Sequence, residues 1–105
     1  MNWSTDLLVA VDEEGPVPRV YALEQNYPNP FNPLTVVRYQ MAEAGHVRLV
    51  VYDLLGREVA VLVDEARMAG DHVARFDGSG CASGVYFCRM RSGSFVATKA
   101  MMLVR

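Results

Sequence analysis

Three prolines within six residues, Pro28, Pro30 and Pro33, stand in the run Asn26-Tyr27-Pro28-Asn29-Pro30-Phe31-Asn32-Pro33. No helix tolerates this. Each proline lacks an N–H and pushes the residue before it toward extended geometry. The run therefore predicts a stiff, extended entry into a domain on its C-terminal side. Tyr27 and Phe31 are expected to press onto that domain as a lid, while the asparagines satisfy nearby backbone groups. Beyond Pro33 the chain is a series of short alternating stretches that continues to Arg105.

A chain of 105 residues is enough for one small domain with one core. With 51% hydrophobic and 21% charged residues it has the composition of a folded globular domain. A formal net charge of −2 provides no long-range attraction to nucleic acid or to an anionic membrane, so no nucleic-acid partner is expected. No apolar run approaches the ~20 residues that span a bilayer. No signal peptide is visible after Met1.

The segment Asp12-Glu13-Glu14-Gly15-Pro16-Val17-Pro18 has the acidic, Gly/Pro-rich composition of a linker. Residues 1–20 are expected to be an interdomain linker, and residues 21–105 the folded domain. Two readings of the missing signal peptide fit, a cytoplasmic protein or the tail of a larger exported protein whose signal lies upstream, and the linker composition favours the second.

Six strands are expected after the proline run, with a seventh over Arg19 to Leu23 before it. Thr35 to Gln40 is β-branched and aromatic. From His46 to Tyr52 the residues alternate, placing Val47, Leu49 and Val51 on one face. Asp53-Leu54-Leu55-Gly56 predicts a capped type I turn closed by a left-handed glycine. Arg57 to Val63 should return with Val59, Val61 and Val63 on one side, before a loop or helical turn from Asp64 to Ala69. His72 to Asp77, Val85 to Arg91 and Ser94 to Val104 complete the set, the last two joined through Ser92-Gly93. Seven short strands in about ninety residues predict an all-β, immunoglobulin-like antiparallel β-sandwich. Val47, Leu49, Val51, Val59, Val61, Tyr86 and Met90 are its expected buried residues.

Nothing in the pattern assembles a reaction centre. His46 and His72 begin separate strands, and no zinc spacing exists. Gly78-Ser79-Gly80 is followed by a strand, whereas a phosphate loop needs a helix N-terminus behind it. Asn29, Asn32 and Asp77 lack the acidic loop that calcium requires. No catalysis, cofactor or metal is expected. Cys81 and Cys88 match no redox motif and read as small apolar fillers, with a local disulfide as the minor alternative.

Several elements, taken in order, resemble one family. They are Leu23 to Pro33, a Thr-Val-Val-Arg-Tyr strand, Val51-Tyr52-Asp53 with Gly56-Arg57-Glu58-Val59, then Ala82-Ser83-Gly84-Val85-Tyr86-Phe87, and Lys99 in the last strand. The chain resembles the C-terminal sorting domains, type A, of the type IX (Por) secretion system of Bacteroidetes. The resemblance implies a sorting signal at the end of an exported cargo protein, read by outer-membrane secretion machinery and by a sorting peptidase. The implied location is secreted, at the cell surface of a Gram-negative bacterium. A weaker similarity to the immunoglobulin-like domain of flagellar hook-capping proteins runs through Val51-Tyr52-Asp53 and Gly56-Arg57-Glu58-Val59. Cys81 and Cys88 depart from the family's pattern, in which larger apolar or aromatic residues are more typical.

Within that frame the last hairpin is the expected recognition element, because a terminal strand lies at a sheet edge. Gly84, Val85, Tyr86, Arg89, Arg91 and Lys99 are the candidate contacts. Tyr27, Asn29, Pro30, Phe31, Asn32 and Pro33 form the candidate entry motif. Two other readings are a carbohydrate-binding or other ligand-binding sandwich of a secreted hydrolase, and a structural spacer. The first requires an exposed row of aromatics. An ending flush with the last strand weighs against the second.

Overall fold

A computed structural model describes residues 19–105. The expected linker falls outside the described residues except for Arg19 and Val20, as does Trp3. Among the described residues seven strands form, all paired antiparallel: β1 (Ala22–Leu23), β2 (Leu34–Met41), β3 (Gly45–Tyr52), β4 (Glu58–Arg67), β5 (Gly70–Asp77), β6 (Gly84–Ser92) and β7 (Phe95–Leu103). One sheet has the order β1-β2-β5 and the other β4-β3-β6-β7. The expected two-sheet, seven-stranded sandwich is therefore what the chain forms. Its fourth strand stays beside β3, whereas in the constant-type immunoglobulin order the fourth strand joins the opposite sheet.

Alternation explains most of the core. Val47, Leu49 and Val51 of β3 point inward with Tyr86, Cys88 and Met90 of β6, and all six are buried. Val37, Tyr39 and Met41 of β2 and Ala74 and Phe76 of β5 face them from the other sheet. The outer neighbours of β6, Phe87, Arg89 and Arg91, lie on the opposite face, as period-2 geometry requires.

β4 departs from the expected pattern. Val61 is 48% exposed and Val59 only half-buried, whereas Val63 is buried. The cause is a pair of bulges. Leu49 pairs with Val63 but Val50 pairs with Val61, which leaves Leu62 without a partner. Val51 pairs with Ala60 but Tyr52 with Glu58, which leaves Val59 without one. Each extra residue flips the side chains beyond it to the other face. The strand also runs on to Arg67, where the sequence predicts a loop or helical turn. A sharp corner over Met68 and Ala69 then carries the chain into β5 in the other sheet.

Turn chemistry follows the residues. The Asp53 carboxylate accepts the backbone N–H of Leu55 at 2.9 Å and of Arg57 at 3.0 Å, and Arg57 Nε at 2.8 Å. These contacts, the Arg57 N–H first, hold the Asp53 carboxyl below its usual pKa against partial burial. Gly56 closes the turn at φ 80°, which a side chain would strain. The β6–β7 link is Gly93-Ser94, one residue later than expected, because Ser92 pairs directly with Phe95.

The proline segment bends where the sequence predicts an extended run. Bends at residues 28–30 and 32–33 separate two single-residue bridges, Tyr27 to Val36 and Phe31 to Leu103. All three X–Pro bonds are cis. The two aromatics part company on either side of the first bend. Phe31 is 1% exposed and meets the Phe76 ring edge-on at 5.8 Å, whereas Tyr27 is 79% exposed. Asn26 is buried and donates to Thr35 Oγ1 at 2.9 Å and to the Pro28 carbonyl at 3.0 Å, and Thr35 Oγ1 donates to the same carbonyl at 2.9 Å.

Phe31→Ala should therefore lower unfolding free energy by about 3–5 kcal/mol, the usual loss for a buried aromatic. Tyr27→Ala should change it by less than about 0.5 kcal/mol. Urea denaturation of the two variants checks this contrast. Equal effects would contradict the placement of the two rings.

Candidate functional site

The candidate recognition residues lie along β6 and β7, but they do not converge. Val85, Phe87, Arg89 and Arg91 project from the outer face of the four-stranded sheet. Gly84 and Tyr86 sit at the start of β6, with Arg91 at its far end. Lys99 pairs with buried Cys88, so it belongs to the inward-facing set of β7 and is half-buried at the sheet margin. A charged residue turned inward on an edge strand discourages unwanted pairing.

Tyr86 has a structural task. Its ring is buried and its hydroxyl donates to the Ala82 carbonyl at 2.6 Å, four residues upstream. That geometry, at the start of the strand entered from the other sheet, is the tyrosine corner of immunoglobulin-like sandwiches. Burial raises the phenol's pKa. Gly84, just before it, has φ 148°, a conformation that favours glycine. The loop feeding this corner is held from the other end of the domain. Arg105 donates from its guanidinium to the carbonyls of Ser79 at 2.8 Å and of Cys81, and from its backbone N–H to Ser83 Oγ at 3.1 Å.

The entry motif closes part of the β7 edge. Gln25 Nε2 donates to the Ala100 carbonyl at 2.6 Å, and the Met102 N–H to Asn29 Oδ1 at 2.9 Å. The Phe31 N–H donates to the Met102 carbonyl at 2.9 Å, and the Val104 N–H to the Phe31 carbonyl at 3.0 Å. Asn29 thus serves a strand distant in sequence, where the sequence predicts a local partner. Pro33 accepts the Gly78 N–H at 2.8 Å, and Pro30 and Asn32 lie on the exposed bends between these contacts.

The outer face carries the site's electrostatics. Arg48 of β3 lies directly across from Arg91 of β6, and Val50 across from Arg89. Like charges so placed repel. Arg48 is compensated by Glu58 at 3.0 Å and Asp64 at 3.6 Å, which raise its pKa further. Arg89 and Arg91 have no carboxylate within ion-pair distance among the described residues. Val50 is buried although it points outward, at the floor of a depression of about 140 Å³ walled by Arg48, Tyr52, Arg89 and Arg91. The aliphatic stems of the arginines cover it while their heads reach solvent. Glu58 and Asp64 on β4 pair with Arg48, whereas Arg89 and Arg91 have no such partner among the described residues, and Arg48 is absent from the contacts expected from sequence.

Among the described residues no three His, Cys, Asp or Glu side chains converge as a metal site. His46 contacts Asp64 at 2.6 Å and His72 contacts the Met68 carbonyl at 2.7 Å, on different sheets. The aromatic row required of a sugar-binding face is missing among these residues. Tyr52 and Phe87 are cross-strand neighbours but half-buried, and exposed Tyr27 stands apart beside β2. The cysteines are both free thiols.

A family model described as the secretion system C-terminal sorting domain matches residues 25–104. The chain belongs to that family. It is a type IX secretion sorting signal, part of an exported protein that the secretion machinery recognises and that carries an upstream cargo domain. This family is not a catalytic one. A search of curated proteins returns no match to the chain, and a search of solved structures returns none.

Three outcomes are expected. Tyr86→Phe should cost about 1 kcal/mol, because the hydroxyl bond is lost while the ring remains. The raised phenol pKa adds a pH dependence. The neutral form is favoured by folding, so this contribution is complete below about pH 10 and lost as pH rises through the folded-state value. Alkaline denaturation of the wild type should therefore be steeper than that of Tyr86→Phe. In thiol labelling, burial pushes the Cys88 pKa up to about 12, so native protein should take up one equivalent of iodoacetamide, at half-buried Cys81. Two rapid equivalents without denaturant would contradict this.

Proposed function

We propose that residues 21–105 act as a folded recognition unit, joined to the cargo by the linker of residues 1–20 and read by outer-membrane secretion machinery at the outer face of β6. On this reading a sorting peptidase then removes the unit, and the cargo is retained at the surface of a Gram-negative cell. The observation that carries the reading is the pair Arg89 and Arg91, adjacent on one face and without carboxylate partners among the described residues. Arg48 already has Glu58 and Asp64, so what lacks compensation among the described residues is the Arg89–Arg91 pair, and an anionic partner is the simplest source of it. Val85 lies on the same face and extends the surface. Gly84 and Tyr86 act through the fold, by setting the corner that starts β6. Lys99 protects the strand margin.

The test is display of a fused reporter on cells that possess the secretion system. Arg89→Ala with Arg91→Ala should reduce surface display at least about fivefold while the domain stays folded, the stability loss staying within about 2 kcal/mol because the change removes the stems that cover Val50 but no ion pair. Lys99→Glu should leave display near the wild-type level. Normal display by the double arginine variant would move recognition away from this face, most directly to the Tyr27–Phe31 segment. Loss of display by Lys99→Glu in a folded domain would assign the contact to the inner margin of β7.

A further inference from the structure

Among the described residues, the outer edge of β7 is closed along only half its length. Ser92 and Phe95 flank a two-residue turn and form its closing hydrogen-bonded pair. Odd-numbered residues of β7 therefore bond to β6, and even-numbered ones direct their N–H and C=O groups away from it. The contacts of the entry segment obey this parity, since they fall on Ala100, Met102 and Val104. Val96 and Thr98 direct the same groups outward, and no backbone or side-chain bond reaches them from the described residues. The open stretch begins after the hairpin turn and ends where Gln25 meets Ala100.

The surroundings of this gap point to one kind of occupant. Val96 pairs with Arg91 and Thr98 with Arg89, so each open backbone position sits beside an uncompensated guanidinium. A strand added here lies ~4.8 Å beyond β7, and its outward side chains at positions i and i+2 stand across Val96 and Thr98 from the two arginines. Arg89 already lines the depression that holds Val96 and Thr98, and Arg91, once turned from Val50 toward β7, has the length to reach the same strand. A trough of about 400 Å³ runs along the same face, lined in part by Tyr52, Leu54, Phe87 and Arg89. Leu54 is an exposed apolar side chain on a rigid turn, suited to cover an incoming chain.

We propose that the open half of the β7 edge, Val96 to Thr98, takes an extended segment of a partner protein as an added strand, with carboxylates at alternate positions meeting Arg89 and Arg91. This rests on the reading that Arg89 and Arg91 are the recognition residues. It adds the partner's chemistry, an acidic strand, and the backbone groups that align it. The entry segment fixes where that strand must stop.

The experiment uses the full 105-residue chain and a capped hexapeptide, Thr-Glu-Val-Glu-Val-Thr, followed by amide chemical shifts. Saturable shifts should centre on Val96, Thr98, Arg89 and Arg91. Arg89→Gln with Arg91→Gln should weaken binding at least about fivefold, as should replacement of both peptide glutamates by lysine. Thr98→Pro removes only an outward N–H and leaves the β6 ladder intact, so it should abolish binding while the domain stays folded. A peptide N-methylated at alternate residues gives the same test on unaltered protein. Equal binding of the N-methylated peptide, or of the lysine peptide, overturns the proposal. So does the absence of any saturable shift at millimolar peptide. Arginine-dependent binding to phosphatidylglycerol vesicles without peptide binding also overturns it, in favour of a lipid surface. In cells, normal display of a Thr98→Pro fusion overturns strand addition while leaving the arginine reading to be decided by the arginine variants.

Discussion

Phe31 and its backbone hold the two sheets in one object. The ring enters the core against Phe76 of the three-stranded sheet. The same residue's N–H and C=O bond to Met102 and Val104 at the end of the four-stranded sheet. A face-to-face sandwich otherwise relies on side-chain contact alone between layers. Here one residue contributes a packed ring to the interior and two hydrogen bonds to an edge. Asn26 and Thr35 fix the approach by satisfying the Pro28 carbonyl, so the bends of the proline segment are specified by polar contacts as well as by ring geometry.

This latch joins residues separated by about seventy positions, since Gln25, Asn29 and Phe31 meet Ala100 to Val104. Closing so long a loop carries an entropic cost that must be met by many contacts at once. The beginning and end of the domain therefore form together with the core. Arg105 extends the same logic by tying the Gly78 to Ser83 loop, and through it the tyrosine corner. A signal built this way presents its face only when the whole unit is folded.

The strands are legible in the sequence where alternation is uninterrupted. β3 and β6 show their inner and outer sets directly in the letters, because a period of two has no alternative on a half-buried sheet. β4 defeats the same reading at Val59 and Val61, since a bulge inserts a residue into the pairing without any mark in composition. Tyr27 and Phe31 look equivalent as letters, and only the bends between them decide which is buried. The tyrosine corner has a usable signal, a Tyr two residues past a small, glycine-containing loop before an alternating strand. The free state of Arg89 and Arg91 has none. It depends on strand order, which puts the carboxylates of β4 beside β3 and leaves none beside β6 among the described residues, and a linear pattern does not encode that order.

The residues by which the chain resembles its family are largely occupied with backbone tasks. Asp53 and Gly56 make a turn, Gly84 and Tyr86 make a corner, and Asn26, Asn29 and Phe31 make the latch. A motif of this kind specifies a shape. The shape then decides which charges remain unpaired and which strand groups remain open. Arg89 and Arg91 sit on a chain of net charge −2, so their field is local and screened beyond ~8 Å at physiological ionic strength. Such a patch adds little to long-range steering. On the proposed reading it acts once a partner is already in contact, the β7 edge aligning backbone groups and the guanidiniums testing the side chains. The latch over Ala100 to Val104 then confines that proposed contact to one short stretch of β7, the form of recognition that suits a nearly neutral sandwich.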